Sequence, residues 1–160
     1  TPYVTTALEY AHDLGALTIS VACVPKHQAK LISDVDIRIL TGPELLTGST
    51  RLKAGTATKM LLNMISTILM VKLGKVYGNK MIDLSVSNNK LLDRALRILN
   101  DVADIDFEEG RRLLNVTKGS VKLSLLMSLA AIDLNKAREL LDQNGQNLRA
   151  ALMAVQDIDI

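Results

Sequence analysis

Between Gly42 and Lys59 the chain reads GPELLTGSTRLKAGTATK, and this stretch concentrates groups able to do chemistry. It brings together hydroxyls at Thr47, Ser49 and Thr50, cations at Arg51 and Lys53, and one acid, Glu44. The apolar run behind it predicts a long helix from about Thr50 to Leu73, ended by Gly74. Free backbone N–H groups and the positive dipole end at such a start form an anion site. Arg51 and Lys53 would then lie in the first turn, each opposing the dipole by roughly a few tenths of a kcal/mol. A bound phosphate would turn that cost into attraction and add charge-assisted hydrogen bonds. The residues alone leave a second reading open, in which the two cations reach solvent or pair with Glu44 or another acid.

The rest of the chain narrows the chemistry. His12 and His27 are isolated, and no Cys/His spacing suits a metal. No Walker loop or G-x-G-x-x-G is present. Cys23 is the single cysteine and ends the apolar run LTISVAC, which predicts a buried structural thiol. With no intramolecular disulfide available, a reducing, cytoplasmic setting is expected. The net charge of +2 is spread along the chain, and the aromatics are one Phe and three Tyr. That gives no basic stripe and no stacking platform, hence no nucleic-acid partner. The longest apolar run, Met60 to Val71, is interrupted by Asn63, Ser66 and Thr67 and is shorter than the about 20 residues a bilayer needs. No membrane partner is expected.

The elements that must position the loop follow from periodicity. Thr1-Pro2 opens a helix predicted to reach about Leu14, where Gly15 stops it. LTISVACV, Leu17 to Val24, is a β-branched apolar run of the kind buried on both faces of a parallel sheet. KHQAKLI reads as a short helical connector, and DVDIRIL, Asp34 to Leu40, alternates like a strand with one wetter face. Two parallel strands do not make a stable sheet alone, so either association with another chain or further strands upstream of Thr1 are expected. The predicted long helix is apolar nearly all round in its second half, which favours a subunit interface and hence a homodimer. A turn at Gly78-Asn79 and an extended piece at Met81 to Val86 come next. From Asn88 onward the pattern is helical, with cap candidates at Asp106 and Ser120, a helical segment starting at Asp133 and a turn at Asn144-Gly145. The expected fold class is α/β followed by a small all-α domain, divided into 1–105 and 106–160.

The loop motif resembles the signature shared by bacterial N-acetylmuramic acid 6-phosphate etherases and the vertebrate glucokinase regulatory protein. Gly42, Glu44, Gly48, Ser49, Thr50, Arg51, Lys53 and Lys59 match its fixed positions. TPYVTTALEYAHDLGALTISVAC and LNMISTILMVKLGKVYGNKMIDL extend the likeness to either side, and LLDQNGQNLRAAL resembles the etherase tail. This resemblance implies residues 1–105 as the C-terminal half of a sugar isomerase (SIS) domain, a three-layer α/β/α parallel sheet. Residues 106–160 would be a domain similar to the ubiquitin-associated fold. It further implies a lyase that cleaves the D-lactyl ether, yielding GlcNAc 6-phosphate and D-lactate during cell-wall recycling. A carboxylate would take the proton beside the ring-opened aldehyde, and a second acid would assist the leaving group. Neither metal nor organic cofactor is implied. The matched substrate residues are Thr1, Glu44, Ser49, Thr50, Arg51 and Lys53, with Glu44 a substrate-site or loop-organising carboxylate before a base. The two catalytic glutamates would lie upstream of Thr1, so this chain would hold none and be silent alone. The alternative is a non-catalytic sugar-phosphate regulatory protein.

Overall fold

A computed structural model describes residues 2–156. Their contacts fall into two compact units, divided between Ser66 and Thr67, within the long helix. The first unit begins with α1 (Pro2–Asp13), then β1 (Ile19–Ala22) and β2 (Val35–Arg38). The two strands pair in parallel, with Ile19 opposite Val35 and Ala22 opposite Arg38. Side chains reinforce this register. Thr18 donates from both its N–H and its hydroxyl to Asp34 Oδ2, at 2.7 Å each, and Asp34 N–H returns a bond to Thr18 Oγ1 at 3.1 Å. One step along, Ser20 Oγ and Arg38 Nε both donate to Asp36 Oδ1, at 3.0 and 2.7 Å.

Two expectations fail here. The β1 run is not buried on both faces: Thr18 and Ser20 are the buried residues, whereas Leu17 and Ile19 are exposed. The apolar side chains lack a covering layer among the described residues, while the polar ones are satisfied by β2. The connector after Pro25 is a turn, with Gln28 N–H on the Pro25 carbonyl at 3.0 Å, and no helix forms. Seven residues are too few to repay helix nucleation without a packed face.

Helix α2 spans Lys53–Lys72 and has no fully buried residue. Met60, Leu62, Met64, Ile68, Leu69 and Val71 are each about half or more exposed. The apolar run therefore belongs to a 20-residue helix that is long and apolar enough, by length and composition, to cross a membrane. The same properties suit a helix covered by other protein.

The second unit is held by an ordinary apolar core. A two-residue turn at Gly78-Asn79 joins β3 (Val76–Tyr77) to β4 (Lys80–Met81), antiparallel. Five helices follow: α3 (Asn89–Ala103), α4 (Phe107–Val116), α5 (Val121–Ala130), α6 (Leu134–Gln143) and α7 (Leu148–Gln156). Asn88, Asp106, Ser120 and Asp133 cap α3 to α6, each accepting a first-turn N–H. Ile82, Leu96, Leu99, Leu114, Leu125, Leu140 and Leu148 form one buried cluster. By packing, the helical unit thus begins well before residue 106, because the apolar face of α3 is covered by α4 and α5. Gly74, in the left-handed region at φ 65°, leads into this unit: a Cβ there would lie 2.8 Å from Asn147 Cα. The buried hydroxyls of Thr117 and Ser124 meet at 2.9 Å, and Thr117 Oγ1 also donates to the Leu113 carbonyl. The ammonium of buried Lys122 donates to the Gln146 carbonyl at 2.8 Å and lies 3.7 Å from Asp83 Oδ1.

Candidate functional site

The loop from Gly42 to Leu52 joins the end of β2 to α2, leaving the carboxyl edge of the parallel pair, where open α/β sheets bind ligands. Inside the loop the backbone turns on itself. Ser49 N–H donates to the Leu46 carbonyl at 2.9 Å, Thr50 N–H to Gly48 at 3.0 Å, and Leu52 N–H to Ser49 at 3.2 Å. Beside it an open cleft of about 370 Å³ is lined by Cys23, Val24, Pro25, Gln28, Leu40, Gly42 and Pro43. A second, shallower depression of about 510 Å³ runs along α2 past Thr50, Gly55, Thr58, Lys59 and Asn63.

Glu44 decides the character of this helix start. Its Oε2 accepts the Lys53 N–H at 2.9 Å and its Oε1 the Ala54 N–H at 3.0 Å. The next two N–H groups, of Gly55 and Thr56, go to the carbonyls of Thr50 and Leu52 at 2.8 and 3.1 Å. All four donors that a helix start leaves open are therefore engaged. The two bonds, Ala54 first, together with the charge of Lys53, hold the Glu44 carboxyl below its ordinary value against a smaller effect of desolvation. The first turn of α2 has no acidic residue of its own, so a carboxylate from nine residues upstream complements the dipole.

This geometry corrects where the helix was expected to begin. Arg51 precedes α2 by two residues and is not in its first turn. Lys53 is its first residue, and its ammonium donates to the Pro43 carbonyl at 3.0 Å. Arg51 is exposed and has no hydrogen bond or ion pair among the described residues. Ser49 is half-buried and Thr50 exposed. Thr1 lies outside the described residues. Gly55 lies close to the backbone of Thr50, whose carbonyl would sit a tight 3.2 Å from an added Cβ. Cys23 is half-buried rather than fully enclosed, with its Sγ 3.7 Å from the Ala54 carbonyl and 3.5 Å from Thr58 Oγ1.

Sequence reading put Arg38 with Asp34 and Asp36 on the wetter face of DVDIRIL and did not foresee its burial. Its side chain is only 11% exposed, and Nε and one terminal nitrogen bind Asp36 and the Val24 carbonyl. The other terminal nitrogen is buried without a partner. The available signal was Asp36 and Arg38 two apart on a strand, hence on one face. No group of three or more His, Cys, Asp or Glu able to hold a metal occurs among the described residues.

Comparison with known proteins places this geometry in context. Residues 78–118 match the model of the C-terminal lid domain of glucokinase regulatory protein. A Synechococcus sp. (strain CC9902) protein named N-acetylmuramic acid 6-phosphate etherase is 60% identical over 152 residues, covering 95% of this chain and 48% of the relative. Proteins of the same name from Prochlorococcus marinus (strain NATL1A) and Crocosphaera subtropica are 58% and 57% identical over 98% of the chain. The chain is a relative of these etherases. It spans about half the length of the curated relatives it matches. With 95–98% of the chain matched, the signature loop and the helical unit both fall within the compared residues.

Proposed function

We propose that this chain is part of an N-acetylmuramic acid 6-phosphate etherase and supplies one wall of its phosphosugar site. The 57–60% identity to proteins of that name over 95–98% of the chain carries the reading. The reaction consumes the substrate and water and yields GlcNAc 6-phosphate and D-lactate. Elimination of the lactyl group precedes addition of water. The acid and base belong to the half of the protein not contained in this chain, and this chain alone is inactive. Within the chain, the loop contributes the Arg51 guanidinium and the hydroxyls of Ser49 and Thr50, none of which has a side-chain partner among the described residues. No metal or organic cofactor takes part.

The same reading treats residues 1–105 as derived from an SIS-type three-layer α/β/α domain and 106–160 as a ubiquitin-associated-like appendage, with α3 recruited into the core of the latter. It includes a cytoplasmic homodimer, in which the exposed apolar side chains of α2 lie against protein rather than lipid. A second reading, a sugar-phosphate-binding regulatory protein without turnover, is favoured by the lid-domain match at residues 78–118.

One experiment separates the two. The full-length protein is incubated with N-acetylmuramic acid 6-phosphate, and D-lactate is measured by an enzyme-coupled assay. Release of D-lactate in equal amount to GlcNAc 6-phosphate is expected. Saturable binding of the substrate without lactate supports the regulatory reading instead.

A further inference from the structure

The loop ahead of α2 is tied shut at its base by bonds running in both directions. Glu44, at its start, accepts the N–H groups of Lys53 and Ala54 at its end. Lys53, at its end, sends its ammonium back to the carbonyl of Pro43, at 3.0 Å. Three hydrogen bonds thus join residues 43–44 to residues 53–54, and the chain between them, Leu45 to Leu52, is closed into a loop. An ordinary cap would come from the residue just before the helix and would satisfy the same donors without restraining the loop. Here the capping carboxylate lies nine residues away, so capping and loop closure are one event.

The clasp also separates two cations that look equivalent in sequence. Lys53 spends its ammonium on the Pro43 carbonyl. Arg51, between the turn bond of Thr50 and that of Leu52, keeps its guanidinium unengaged among the described residues. A guanidinium can hold a phosphate in a two-pronged fashion that an ammonium cannot match. Its usefulness depends on where the backbone holds it, and a loop ordered before binding does not spend binding energy on ordering itself.

We propose that Glu44 and Lys53 are positioning residues: their reciprocal clasp holds the loop closed so that Arg51, and not Lys53, meets the anionic group of the ligand. The assignment of that ligand as a sugar phosphate rests on the function proposed above. The clasp itself rests only on the geometry of the loop.

The test uses the full-length protein and the variants Glu44→Ala, Glu44→Gln, Lys53→Met and Arg51→Ala. Amide hydrogen exchange is read at Lys53, Ala54 and the loop. Glu44→Ala should speed exchange there by roughly tenfold, with Glu44→Gln intermediate because it keeps one acceptor oxygen. In turnover, Glu44→Ala should raise KM by roughly tenfold with kcat within about twofold, and Glu44→Gln should recover part of the loss. Arg51→Ala should raise KM more than Lys53→Met does. Unchanged exchange at Lys53 and Ala54 in Glu44→Ala would overturn the clasp. A collapse of kcat at constant KM would overturn it too, since Glu44 would then act on the reacting atoms. A larger KM effect from Lys53→Met than from Arg51→Ala would overturn the assignment of the cation. Should the protein release no lactate, calorimetric binding of GlcNAc 6-phosphate replaces KM. Absence of binding would remove Arg51 as an anion contact together with the sugar-phosphate reading, while the exchange data decide the clasp separately.

Discussion

Removing either partner of the Lys122–Asp83 pair should have unequal consequences. The Lys122 side chain is 8% exposed, and Asp83 at 38% is far more open. At their separation of 3.7 Å the gross attraction is about 4–5 kcal/mol for an effective dielectric constant of about 20. Lost hydration of the buried ammonium cancels much of this. Asp83→Ala leaves that ammonium inside with the Gln146 carbonyl as its remaining acceptor. The expected cost is about 1.5–3 kcal/mol, less than for a fully orphaned ion. Lys122→Met removes the buried charge, keeps most of the apolar stem, and leaves Asp83 paired with Lys75 at 2.7 Å. Its expected cost is about 0–1 kcal/mol. In the Lys122→Met background, Asp83→Ala should cost less than about 1 kcal/mol, since the ion it orphans is gone.

Urea unfolding monitored by circular dichroism, with all four proteins at pH 7, measures these differences. Acid provides a second reading. The hydrogen bond from Lys75, then the charge of Lys122, holds the Asp83 carboxyl below its ordinary value against desolvation. Its stabilisation is therefore complete above the unfolded-state value near about pH 4 and is lost as pH falls through the lower folded-state value. The gap between the parent protein and Asp83→Ala should close over that acid range. Equal costs for the two single variants, or a larger cost for Lys122→Met, would refute the reasoning.

Two further perturbations probe the same unit. Gly74→Ala should destabilise it by about 2–4 kcal/mol, because it combines a left-handed backbone with a Cβ forced against the Asn147 backbone; thermal melts check this. Asp106→Ala should cost about 0.5–2 kcal/mol through loss of the α4 cap, with Asp106→Asn close to neutral in the same melts.

Much of the helical unit was legible because its signals are local. Asn88, Asp106, Ser120 and Asp133 each start a helix by offering a short side-chain oxygen to a donor two or three residues away. The apolar spacing of α3 likewise announced its buried face, Ala95, Leu96, Ile98 and Leu99. The strand pair was legible in order and direction. Its burial was not, because Thr18 and Ser20 are sheltered by pairing with Asp34 and Asp36 rather than by their own polarity. The candidate site stood out in the sequence as a segment, and the start of its helix was placed three residues too early. Arg51 was placed inside the helix because turn residues and first-turn residues carry no distinct composition, and the backbone bonds of Ser49 to Leu52 decide where the helix begins.

The sequence by itself determined the kinship of the chain, the order of its elements, and the concentration of hydroxyls and cations between Gly42 and Lys59. Those properties follow from residue identity and short spacing. Only the tertiary structure decided what offsets Lys53 at the positive end of α2. The answer is Glu44, nine residues earlier, brought back by the turn of the loop. A hydrogen bond over that distance depends on the path of the backbone between its partners. For the same reason Lys53 and Arg51, two residues apart, end with different roles: one is committed to the Pro43 carbonyl, and the other is left open.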